Sequence, residues 1–120
     1  MNNENLKKRN KRFALDVIKL VENLPQSQTC RILGNQLLRS GTSVGANYRA
    51  VCRAKSPADF ISKMGTVEEE ADESDYWLEL LVDSGKLKPA DALAIIKEAG
   101  ELTAIAVSSI NTARKSGGRR

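Results

Sequence analysis

Ser56–Lys86 reads SPADFISKMGTVEEEADESDYWLELLVDSGK, and this stretch decides the fold. Ser56 is a good N-cap, Pro57 suits the first helical position, and Asp59 sits in the first turn, where the helix dipole favours an anion. Apolar or small residues then recur at Phe60, Met64, Val67, Ala71, Ser74, Leu78 and Leu81. That alternating four-three spacing is a heptad seam. Gly85 stands where a C-cap belongs. At about 1.5 Å per residue such a helix is ~40 Å long, too long to be stable in water unless its stripe packs on something.

The other segments supply that packing. Leu6, Asn10, Phe13, Val17, Leu20 and Leu24 form one stripe of a first helix, expected from about Asn3 to Asn23 and ended by Leu24-Pro25-Gln26. A second seam runs through Cys30, Leu33, Leu37, Ser40, Val44, Asn47 and Val51. It crosses Ser40-Gly41-Thr42-Ser43-Val44-Gly45, a poor helix former by propensity. Periodicity favours one helix to about Lys55, with Gly41 the place where it would bend. Gly41 and Gly45 share a face, where small residues let another element approach closely. Pro89 opens a fourth helix with the seam Leu93, Ile96, Gly100, Thr103, Val107 and Ile110, flanked by Ala92, Ile95, Ala99, Leu102 and Ala106. A helix apolar over so wide an arc is either buried or faces both its own bundle and a neighbouring subunit, and the expectation is an oligomer. The expectation is an all-α, antiparallel up-down-up-down four-helix bundle. It forms a single domain over residues 1–115, with a basic disordered tail at 116–120.

Composition narrows the function. The 120 residues suffice for one core, 41% of them are hydrophobic, and only 4% are aromatic, so the core is aliphatic. The absence of His removes the commonest general base and metal ligand. Cys30 and Cys52 fall on or beside apolar positions and read as reduced thiols of a cytoplasmic protein. No signal-peptide pattern or membrane span is seen.

Candidate chemistry is sparse. Glu68, Glu69, Glu70, Asp72, Glu73, Asp75 and Glu79 form an acidic run, but a di-metal bundle also needs Glu-x-x-His motifs. The run therefore reads as a solvated face compensated by basic groups. Ser40, Thr42 and Ser43 have no base to activate them. Gly41-x-x-x-Gly45 lacks the Lys-Ser/Thr of a phosphate loop. No enzymatic activity, metal or cofactor is expected.

Charge is more informative. Residues 1–56 hold 11 Lys/Arg against 3 Asp/Glu, and residues 57–103 hold 4 against 12. Such asymmetry points to a polyanion partner or to pairing between segments or subunits. Lys7, Lys8, Arg9, Lys11 and Arg12 crowd the positive end of the first helix dipole, against its preference. With Arg39, Arg49 and Arg53 they are the candidate contacts to RNA or DNA phosphates. The alternative is a protein–protein scaffold without nucleic-acid affinity.

The segment Arg39-Ser40-Gly41-Thr42-Ser43-Val44-Gly45-Ala46-Asn47-Tyr48-Arg49, followed by Asp59-Phe60-Ile61-Ser62-Lys63-Met64 and the Glu-rich helix through Tyr76-Trp77-Leu78, resembles the bacterial four-helix bundle proteins related to those encoded in intervening sequences of 23S ribosomal RNA genes. That family in turn resembles the accessory protein of diversity-generating retroelements. The resemblance implies a left-handed up-down bundle assembling as a ring-shaped homopentamer with a basic surface. For the retroelement relatives it implies nucleic-acid binding and engagement of a reverse transcriptase; for most members it implies no established enzymatic activity. Its motif residues, Ser40, Gly41, Ser43, Gly45 and Asn47, read as structural. A buried Asn47 amide must find partners, so Asn47 and Ser43 are expected to bond to Glu69 or Glu73 and fix the register.

Overall fold

The computed structural model describes residues 3–117. Four helices follow one another: α1 (Asn3–Glu22), α2 (Gln28–Val51), α3 (Pro57–Asp83) and α4 (Pro89–Gly117). They lie side by side in a body 54 Å long and about 22 Å across. The last three residues of the expected tail, 118–120, lie outside the described residues; Ser116 and Gly117 continue α4.

Local chemistry sets the helix ends. The Ser27 hydroxyl accepts from the Cys30 amide at 3.0 Å, and the Ser56 hydroxyl accepts from the Asp59 amide at 3.0 Å. Asp59 Oδ2 returns the favour by accepting from the Lys55 amide at 3.0 Å. Gly85 takes φ +79° just past α3. Its amide donates to the Val82 carbonyl while the Lys86 amide donates to the Leu81 carbonyl, the paired bonds of a Schellman turn, which a Cβ would strain. α2 stops at Val51, four residues before the expected end. Pro57 needs an extended residue before it, Ser56 supplies that at φ −161°, and residues 52–55 are used to reverse the chain.

The register is antiparallel throughout. A Cβ on Gly41 or Gly45 of α2 would meet Val17 or Asn10 of α1, Ser40 of α2 bonds Ser74 of α3, and Arg9 of α1 reaches Glu98 of α4. α1 meets α4 only sparsely compared with the other neighbouring pairs.

The α1 and α3 seams are as the spacing dictates, with Phe13, Val17, Ala71, Leu78 and Leu81 essentially inaccessible. Two seams shift. In α2, Gly34 and Tyr48 are buried, while Leu33 and Asn47 are only half-buried, because the close approach of α1 at Gly34 and Gly41 turns the helix toward it. In α4 the flanking residues Ala92, Ile95, Ala99, Leu102 and Ala106 are the core, together with Ile110. Of the stripe expected to be the seam, Leu93 is 72% exposed and Val107 38%. Two heptad phases overlap on this helix, and the core takes the one that puts alanines where helices pack closest. Asn10 is fully buried, and neither polar atom of its amide has a hydrogen-bond partner among the described residues.

Candidate nucleic-acid interface

Antiparallel packing collects at one end the start of α1, the finish of α2, the start of α3 and the finish of α4. That end carries Lys7 and Lys8 from α1 and Arg49 from α2, and Arg9, Lys11 and Arg12 follow from it toward the middle of α1. Arg53 and Lys55 follow in the turn, and Arg114 and Lys115 come from α4. The opposite end holds Asp75, Glu79, Asp83 and Asp91 together with Lys19, Arg31, Lys86 and Lys88. The up-down topology places Lys55, Arg114 and Lys115 beside the candidate cations. The register that sets Asn10 against Gly45 brings Lys7 level with Arg49, and i,i+4 spacing aligns Lys11 with Lys7.

The candidates differ in what holds them. Lys8, Lys11, Arg49 and Arg53 are exposed and form no ion pair with a described residue. Lys7 and Arg12 make loose pairs within α1, to Glu4 at 3.5 Å and Asp16 at 3.7 Å. Arg9 is engaged: its guanidinium donates twice to Glu98 at 2.7 Å and once to Glu101 at 2.6 Å. The Glu98 hydrogen bond, against a smaller opposing effect of burial, raises its pKa further above the ordinary value, with Glu101 adding to the shift. Arg39 sits mid-bundle, away from the basic end, and donates to Glu70 at 3.0 Å and to Glu73.

The motif residues act within the bundle, but not as expected. Asn47 Nδ2 donates to the Ser43 carbonyl at 2.8 Å, and the Ser43 hydroxyl donates to the Arg39 carbonyl at 2.7 Å. Neither reaches Glu69 or Glu73. Mid-helix hydroxyl and amide groups satisfy themselves on the preceding turn, and α3 lies on the Ser40 side. The polar links between α2 and α3 are the Ser40–Ser74 hydroxyl pair, buried and 2.9 Å apart, and the Arg39–Glu70/Glu73 fork. Glu73 also accepts from Trp77 Nε1 at 3.0 Å. Glu69 is exposed.

At the basic end, Tyr48 donates its hydroxyl to Asn3 Oδ1 at 3.2 Å, and burial, helped by the Cys52 thiol, pushes its pKa up to about 12. A hollow of about 470 Å³ opens there between Asn3, Tyr48, Cys52, Lys55 and Phe60. Both cysteines are free thiols, Cys30 buried and Cys52 half-buried. Among the described residues no three His, Cys, Asp or Glu side chains converge as a metal ion would need, and no helix is long and apolar enough to cross a membrane.

Comparison with known proteins agrees with the four-helix fold. No protein with a curated description matches the chain. A crystal structure of a protein of unknown function from the S23 ribosomal protein family of Bacteroides thetaiotaomicron is similar, with 36% identity, a TM-score of 0.81, and cover of 87% of this chain and 96% of that one. Residues 3–108 match the family described as 23S rRNA-intervening sequence protein. The chain belongs to the 23S rRNA-intervening sequence protein family.

Proposed function

We propose that this protein is a non-catalytic, self-associating accessory factor that binds the phosphate backbone of RNA or DNA through its basic end. The observation that carries the reading is a set of exposed cations, Lys8, Lys11, Arg49 and Arg53, that have no ion pair among the described residues and lie toward one end of a rigid bundle. Cations on rigid helices track phosphates and release counterions on binding. The aromatic content is too low for base stacking, so the contact positions the nucleic acid without reading its sequence. The resemblance to ring-forming relatives supports self-association, in a ring of five copies.

Binding to a structured RNA and to duplex DNA, at low and near-physiological salt and with assembly mass recorded in the same samples, tests this. Tight binding that falls steeply with salt is expected. An intact assembly indifferent to both nucleic acids would leave the scaffold reading, which is favoured by the opposed charge of the bundle's outer faces.

A further inference from the structure

The outer faces of the bundle divide by sign. Where α1 adjoins α2, Lys11 and Arg49 are exposed without an ion pair among the described residues, and Leu15 is 53% exposed nearby. Where α3 adjoins α4, on the opposite side, a groove of about 340 Å³ is lined by Ile61, Gly65, Glu68, Glu69 and Val107, with Arg114 at one end. Asp72 follows Glu68 one turn along α3. Leu93, Gly100 and Val107, seven residues apart, extend an apolar line along α4.

Two glycines on this acidic side have no reason within the protomer. A Cβ built on Gly65 or on Gly100 meets nothing within 4 Å, although a mid-helix glycine costs about 1 kcal/mol relative to alanine. What a bare glycine offers at an open helical face is close approach by something outside. Glu68 and Asp72 ask for cations, and the apolar line asks for an aliphatic side chain. The α1–α2 face of the same chain supplies both.

We propose that a second copy of this chain docks its α1–α2 face on the α3–α4 face of the first, with Lys11 and Arg49 toward Glu68 and Asp72, and Leu15 toward the Gly100–Val107 line. This rests on the self-association in the reading above, and it assigns Lys11 and Arg49 to the contact between copies instead of to phosphate. Two different patches meet, so the contact is heterologous, and each copy uses both faces. Opposed charges of this kind fix partner and orientation more than they add affinity. Lys11 and Arg49 then lie within the contact, while Lys8 and Arg53 stay open to nucleic acid.

Sedimentation of the full-length chain without nucleic acid tests it, with helix content checking that each variant folds. One variant carries Lys11→Glu and Arg49→Glu; the other carries Glu68→Lys and Asp72→Lys. Each alone should associate at least tenfold more weakly than the wild type, and an equimolar mixture should recover association, because an intact face of one meets an intact face of the other. Gly100→Leu, whose side chain has open space in the protomer, should melt higher yet associate more weakly. Variants that assemble like the wild type, or a mixture that stays dissociated, overturn this interface and leave self-association standing. A monomeric wild type overturns both.

Discussion

Val17 occupies the space that a side chain at Gly41 would need. A Cβ there would lie 2.8 Å from Val17 Cγ2 and 3.1 Å from Val17 Cβ. Val17 is fully buried and, being β-branched, stiff at χ1. At Gly45, one turn on, a Cβ would stand 3.4 Å from Asn10 Cβ, close to ordinary contact. Gly41→Ala should therefore lose about 1–3 kcal/mol to overpacking, against a helix-propensity gain of about 1 kcal/mol. Gly45→Ala should be neutral or stabilising by up to about 1 kcal/mol. Urea unfolding of the two variants decides, and equal midpoints would remove the packing argument.

Arg9 closes the seam that packing leaves weakest. α1 and α4 meet sparsely, and the guanidinium fork on Glu98 and Glu101 spans the gap with side chains about a quarter to a half exposed. Charge-assisted, two-pronged bonds exceed ordinary surface pairs, but partial exposure screens them. Arg9→Ala should cost about 1–2 kcal/mol, and Arg9→Lys should not recover the whole loss, because an ammonium cannot make the fork. Hydrogen exchange in α1 that stays as slow as in the wild type would refute the clamp.

How much of this was legible in sequence depended on how ambiguous each pattern was. α3 carries one apolar stripe between a Ser-Pro start and a Gly stop, so its caps and seam followed directly. α4 carries two overlapping stripes, and spacing alone cannot choose between Ala99 and Gly100 as the inward residue; only the partner helix decides. Arg9 looked like one cation among five because its carboxylates lie about ninety residues away in sequence. Asn47 looked like an interhelical bridge because its position fits the heptad, yet Tyr48 takes the buried place. The gathering of cations at one end was implicit in the topology, and reading charge by segment instead of by end concealed it.

Asp75 gives stability a pH dependence of definite sign. Burial first, then a hydrogen bond with Glu79 and the charges of Glu79 and Asp72, raise its pKa from 3.8 to about 6. The folded state thus holds a proton that the unfolded chain releases, and stability falls as pH rises between about 4 and 6. Asp75→Asn removes that loss. Its melting temperature should exceed that of the wild type at pH 7.5, with the difference vanishing near pH 4. A difference that does not change with pH would rule out Asp75 as its source.

Phosphate binding should separate free cations from engaged ones. Each phosphate contact contributes roughly 0.9 to the slope of log K against log salt on duplex DNA. Lys8 and Arg53 are exposed and unpaired among the described residues, so Lys8→Ala and Arg53→Ala should each reduce that slope by about one while leaving stability unchanged. Arg39 is held by Glu70 and Glu73. Arg39→Ala should lower stability and leave the slope as it was, since a guanidinium already held by two carboxylates displaces no counterion from the nucleic acid. If Arg39→Ala flattened the salt dependence as much as Arg53→Ala, the phosphate path would run along the middle of α2, and the basic end would lose its role.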